Sequence, residues 1–198
     1  KGHKGIYAWE IFNEAEGMTE EHGWTLEGKR TKQKFITKTV NWFADAIHEA
    51  DPDVPVTNGA WTFIANSDVV DTNYYSDKSL IAEGGRAGGT LDFYQIHYYD
   101  NWGEGNDTSI ISPFKHPASY WKLDKPIVVG EFWAVDTLGL PANQLFTTLY
   151  EGGYAGAWAW QYTNADNPAP TEPTKWPAMQ APMKALYDAH KADLDCAE

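Results

Sequence analysis

Short apolar runs alternate along this chain with longer segments of helical period. Residues 5–13, 54–58, 91–99, 126–131 and 154–160 are rich in β-branched and aromatic side chains and too short for helices, so they read as buried strands. Residues 32–50 form the clearest helix, with Ile36, Val40, Phe43 and Ile47 on one face. Asp51 and Pro52 end it, because the residue before proline is pushed out of the helical region. Further helical segments are expected near 77–83, weakly near 116–122, at 141–151 with Pro141 at its start, and near 178–194, where Met179, Met183, Leu186 and His190 make one stripe.

Strand and helix in strict alternation imply parallel strands joined by right-handed crossovers. The strands end in polar or aromatic groups: Asn13 and Glu14, Asn58 and Trp61, His97 and Tyr99, Glu131, Trp160 and Gln161. Chemistry gathered at C-terminal strand ends is the mark of a (β/α)8 barrel. A doubly wound sheet also binds ligands there, but no Gly-rich phosphate turn opens a helix after a strand. The glycines at 84, 85, 88 and 89 precede a strand and read as a loop. A complete barrel has eight strands in about 250 residues. The expected fold is therefore α/β, a partial (β/α)8 barrel of about five C-terminal units, with residues 1–198 as one partial domain.

Two of these strands end in glutamate, Glu14 and Glu131. A carboxylate closing a buried strand is costly unless that end opens onto a cleft that solvates or uses the charge. A pair of them suggests an acid and a nucleophile facing one bond, which is the chemistry of glycoside hydrolysis. Composition agrees. With Trp 10, Tyr 11 and Phe 8 the chain is rich in rings that stack on sugar faces. A formal net charge of −13 argues against nucleic acid or an anionic membrane as partner and suits a neutral polysaccharide. The sole cysteine, Cys196, rules out an intrachain disulfide. The acidic cluster of Glu14, Glu16, Glu20 and Glu21 beside His22 matches no compact metal motif and reads as a solvated loop, so neither metal nor cofactor is expected.

Trp9, Glu10, Ile11, Phe12, Asn13 and Glu14 resemble the Asn-Glu motif on strand four of the large retaining glycosidase clan, and Val128, Val129, Gly130, Glu131 and Phe132 its strand-seven nucleophile. His97 and Tyr99 resemble the strand-six motif of glycoside hydrolase family 5, and residues 156–160 its strand-eight platform. The resemblance covers essentially the whole chain, as barrel strands four to eight. It implies Glu14 as general acid/base and Glu131 as nucleophile, acting through a glycosyl-enzyme with the carboxyls about 5–5.5 Å apart and their pKa values driven apart. It also implies that Asn13 binds the sugar 2-hydroxyl, that Tyr99 orients Glu131, and that His97 contacts substrate or supports the pair. Trp160 would stack beneath the sugar at the cleavage site, while Trp158 is expected to face the other way and pack under a helix. Trp61, Trp102 and Trp133 are further candidate platforms by loop position.

Two departures stand out. Ala15 occupies the position where the family usually has proline, and strands one to three are missing, with the arginine the family keeps near its nucleophile. The resemblance implies an extracellular endo-β-1,4-glycanase, with mannan favoured over β-glucan or cellulose. The alternatives are a non-catalytic carbohydrate-binding remnant and one piece of a split enzyme. Open edges at residues 6–12 and 154–160 invite self-association or pairing with the missing half.

Overall fold

The computed structural model describes residues 3–100, 107–161 and 175–194. Five strands make a single sheet in the order β1-β2-β3-β4-β5: Trp9–Asn13, Val56–Ala60, Tyr94–Tyr98, Ile127–Phe132 and Gly156–Ala157. Every neighbouring pair is parallel. Strict sequence order across a parallel sheet is singly wound topology; a doubly wound sheet would reverse direction at a switch point. The expected partial barrel is therefore the observed fold.

Helices carry the crossovers except between β3 and β4, where the described residues form only 3-10 turns. Helix α1 runs Gln33–Ala50, α2 Phe63–Asn66, α3 Asp77–Gly84, α4 Leu145–Glu151, α5 Trp176–Ala189 and α6 Lys191–Leu194. Local chemistry fixes their ends. The Glu21 carboxylate accepts the backbone N–H of Gln33 at 2.9 Å, satisfying one of the orphan donors at the start of α1. Ser76 caps α3 by accepting from Ser79 N–H at 3.2 Å, and Gly85 ends it at φ 76, a conformation that costs glycine nothing. Short 3-10 turns at Ala15–Met18, Thr108–Ile111, Ala118–Trp121 and Ala142–Gln144 complete the connections.

Two apolar clusters lie between sheet and helices. Val56, Ala60 and Tyr94 pack with Ile36, Val40, Ala44 and Leu80 from α1 and α3. Ile96, Val129 and Phe132 pack with Leu145, Leu149 and Met179 from α4 and α5. The second cluster is anchored by Trp121, 1% exposed, whose ring stacks on Phe63 at 3.6 Å and whose indole N–H donates to Tyr154 Oη at 2.7 Å. The expected α1 face holds for Ile36 and Val40, whereas Phe43 is 49% exposed.

The last strand is shorter than its pattern implies. Residues 154–160 are expected to be extended, but regular pairing covers only Gly156–Ala157. Hydrogen bonds from Ala155, Trp158 and Trp160 N–H to β4 carbonyls still follow that edge at 2.7–2.9 Å. Strand β5 has a neighbour on one side only, and with no second partner its ends drift from regular geometry.

Both sheet edges are lined with apolar side chains. Beside β1, Trp9, Phe43, Ala46, Ile47 and Ala50 border a cavity of about 440 Å³. Beside β5, Leu149, Tyr154, Ala157, Met183 and Leu186 are among those bordering one of about 240 Å³. Trp121→Ala should lower stability by about 3–5 kcal/mol in urea unfolding, because it removes a buried ring and leaves the Tyr154 hydroxyl without its donor.

Candidate active site

Glu14 and Glu131 converge because both of their strands carry a β-bulge. Between β3 and β4, Ile96 pairs with Val129 and His97 with Glu131, so Gly130 is an extra residue on β4. The bulge turns the Glu131 side chain toward the imidazole of His97. Only glycine fits at 130, since a Cβ there would lie 2.6 Å from the Gln95 side chain. On β1 the register slips between Glu10 and Asn13, and the chain then turns sharply at Glu14, held at φ 46 and ψ 47. That left-handed conformation costs a non-glycine residue roughly 1–2 kcal/mol, so its surroundings must impose it.

The resulting cluster is tight. His97 Nδ1 lies 2.8 Å from Glu14 Oε1 and 3.6 Å from Glu131 Oε2. The three ligand-capable atoms lie within 4.8 Å of one another. Tyr99 Oη donates to Glu131 Oε2 at 2.5 Å. His97 is 1% exposed, while the two carboxylates keep about a fifth of their surface, so the imidazole is structural and the acids face the opening.

Burial raises the Glu131 carboxyl above its ordinary value, and the His97 charge and the Tyr99 hydrogen bond pull it back only in part. Glu14 and Glu10 push it further up. This is the reverse of what an ionised nucleophile needs. The physical reason is burial, and among the described residues no lysine or arginine pairs with Glu14 or Glu131 to offset it. Burial also drives the Tyr99 phenol upward, with Glu131 adding to the effect, so Tyr99 stays a hydrogen-bond donor.

The other expected site residues take varied positions. Asn13 is exposed at the end of β1, beside Glu14. Trp160 is 43% exposed and its backbone bridges to Trp133, whose ring lies 4.6 Å from that of Tyr99, the hydrogen-bond donor to Glu131. Trp61 sits farther along the rim in an aromatic group with Trp24 at 4.9 Å and His22 at 6.4 Å. Trp102 lies outside the described residues. Trp158 does not pack under a helix. It is 48% exposed and lines the inner face of the sheet with Glu10, Thr57 and Gln95. Residues two apart on a strand share a face, so Trp158 follows Trp160.

The acidic loop after Glu14 also departs from expectation. Glu16 is fully buried instead of solvated. Its Oε1 accepts the Tyr75 hydroxyl and its Oε2 accepts Trp61 N–H at 3.0 Å. Burial raises its carboxyl, and those two hydrogen bonds partly offset the rise. Glu16 thereby ties the 3-10 turn that follows Glu14 to the loops after β2, which steadies the turn at Glu14. The nearest sequence signal is Glu16 itself, two residues past a strand-end glutamate, but its partners are 45 and 59 positions away.

Sequential parallel strands with two glutamates meeting at their C-terminal rim define the class: a partial (β/α)8 barrel with a carboxylate pair at the end where such barrels bind ligands. Comparison with known proteins narrows it. No family model matches the chain. It is 38% identical over 185 residues to a mannan endo-1,4-beta-mannosidase of Mytilus edulis, covering 83% of this chain and 48% of that protein. It is 32% identical over 200 residues to one of Cryptopygus antarcticus, covering 91% and 51%. Among solved structures, an endo-1,4-beta-mannanase of Eisenia fetida superposes with a TM-score of 0.78 at 31% identity, covering 93% of this chain and 54% of that one. A beta-1,4-mannanase of Aplysia kurodai gives 0.72 at 38% identity, covering 81% and 50%. The resemblance to glycoside hydrolase family 5 therefore holds in sequence and in fold, and the chain is β-mannanase-like over the part of the barrel it spans. It spans about half the length of the curated relatives it matches.

Tyr75→Phe removes one of the two donors to Glu16 and should destabilise the protein by about 1–3 kcal/mol at neutral pH. The Glu16 carboxyl is already raised and rises further in the variant, so the loss should shrink as pH falls and the neutral acid forms. Urea titrations of both proteins at pH values on either side of neutrality check the sign.

Proposed function

We propose that this chain carries the catalytic pair of a retaining endo-β-1,4-mannanase. The observation that supports this best is the Glu14–His97–Glu131 cluster, whose ligand-capable atoms lie within 4.8 Å of one another. That spacing suits double displacement, which needs the carboxyls about 5–5.5 Å apart; the wider gap of inverting enzymes leaves room for a water.

Glu14 hands its proton to the leaving glycosidic oxygen while Glu131 attacks the anomeric carbon, forming a glycosyl-enzyme ester. Glu14, now a carboxylate, takes a proton from water, which cleaves the ester and regenerates Glu131. His97 holds the orientation of Glu14 through its 2.8 Å contact, and Tyr99 holds the attacking carboxylate from the other side. Asn13 suits a hydrogen bond to the sugar 2-hydroxyl, and the exposed Trp160 and Trp133 suit stacking beneath the ring. Mannan is favoured over β-glucan because the relatives' names specify mannan. A polymeric substrate is met outside cells, which supports an extracellular location.

Reducing-end release from mannan and from cellulose, with this chain alone and with the remaining barrel units supplied, tests the reading. Mannan should be cleaved when the barrel is complete, and Glu14→Gln should lower the rate by about 10²–10⁴-fold. In the chain alone the Glu131 carboxyl should titrate above the ordinary carboxylate value of 4.5, and supplying the remaining barrel units should bring it down, as NMR of the carboxyl carbons across pH would show. Cleavage of cellulose in place of mannan would move the substrate assignment. Sugar binding without turnover under every condition would favour the remnant reading.

The apolar cavities beside β1 and β5 favour a piece that is completed by further chain or by a second copy. Light scattering of the isolated chain should show concentration-dependent association, and Phe43→Lys at the β1 side should reduce it. A stable monomer across the concentration range would show that these edges do not need a partner.

A further inference from the structure

We propose that Glu14, His97 and Glu131 form a binding site for a divalent transition-metal ion, Zn2+ in particular, which would act as a reversible blocker of the catalytic pair. The three ligands come from β3, β4 and the turn after β1, so no spacing in the sequence announces them. Their geometry does. Zinc bound by imidazole nitrogen at about 2.0–2.1 Å and carboxylate oxygen at about 2.0–2.2 Å has tetrahedral edges of about 3.4 Å. The Nδ1 to Oε separations here are 2.8 and 3.6 Å, bracketing that edge. The full set spans no more than 4.8 Å, a gap that side-chain rotation of the part-exposed glutamates can close.

Donor chemistry selects the ion. One imidazole nitrogen and two carboxylate oxygens suit zinc or cobalt, whereas calcium and magnesium prefer oxygen alone. Three protein ligands leave the fourth tetrahedral position to water. Charge favours occupancy as well. Two carboxyl groups meet here, and no lysine or arginine among the described residues offsets them. His97 Nδ1 already lies 2.8 Å from Glu14 Oε1, so the ion replaces an existing contact at the same place. The buried imidazole is already held between the carboxylates, which lowers the ordering cost of the site. Occupancy ties up both the proton donor and the nucleophile; that consequence rests on the glycosidase reading, but binding itself does not.

The test uses the metal-free, tag-free chain titrated with Co2+ and followed by visible absorption, then displaced with Zn2+, with stoichiometry from calorimetry. One ion per chain and intense four-coordinate cobalt bands, lost on adding Zn2+, are expected. His97→Gln should weaken binding by more than about tenfold. Glu14→Gln, at a part-exposed turn, should do the same and covers the case in which the buried His97 variant does not fold. His48→Gln, which removes the separate surface contact of His48 with Asp92, should leave the signal unchanged. Absence of a saturable cobalt band, its persistence in both Glu14→Gln and His97→Gln, or its loss in folded His48→Gln would each overturn the site.

Discussion

The site hangs on the imidazole of His97. It is 1% exposed, it belongs to the central strand of the sheet, and its Nδ1 lies 2.8 Å from Glu14 and 3.6 Å from Glu131. Two carboxylates this close repel each other, and in a partly buried setting that repulsion is felt more than in water. A single ring nitrogen placed between them reduces it without filling the space where a reacting bond must lie. Everything near the rim serves that placement. The Gly130 bulge brings Glu131 opposite His97, and the left-handed turn at Glu14 brings the second acid over from β1.

Strain at Glu14 needs a restraint, and Glu16 provides one. A fully buried carboxylate is among the most expensive groups a fold can hold, so its two hydrogen bonds must form together or not at all. Because one bond goes to the Tyr75 hydroxyl and the other to Trp61 N–H, the 3-10 turn after Glu14 cannot move without breaking contacts to the loops after β2. The buried Glu16 thus steadies the part-exposed Glu14.

Strand order, the α1 core face and the two strand-end glutamates were legible in the sequence because each is written in local pattern: β-branched runs, helical period and a polar stop. Glu16 was not, because its burial depends on residues 45 and 59 positions away and nothing local separates it from Glu20, which is exposed. The orientation of Trp158 follows from the pleat, in which alternate residues share a face, and the contrary expectation ignored that rule. The Gly130 bulge escaped notice because a valine-valine-glycine run looks the same with or without an extra residue; only the opposing strand reveals it. Likewise, the length of β5 depends on whether a second neighbour is there to straighten it.

Open sheet edges and inward carboxylates constrain what can pack on this face. Glu10 reaches inward from β1, accepting from Gln95 Nε2 at 2.7 Å beside the exposed ring of Trp158. Its charge, with that of Glu14, raises the Glu131 carboxyl. While the sheet is open, water solvates Glu10. A barrel closed over this face would take that water away, leaving three inward carboxylates with one histidine between them, and desolvation would then oppose closure unless the incoming units carried positive charge. The same cation would lower Glu131 toward the ionised state that attack requires. Apolar cavities border both sheet edges, and the inward carboxylates favour positive charge in anything packed over this face. A segment bringing both apolar surface and a basic side chain to the inner face would therefore meet the demands of the sheet edges and of Glu131 together.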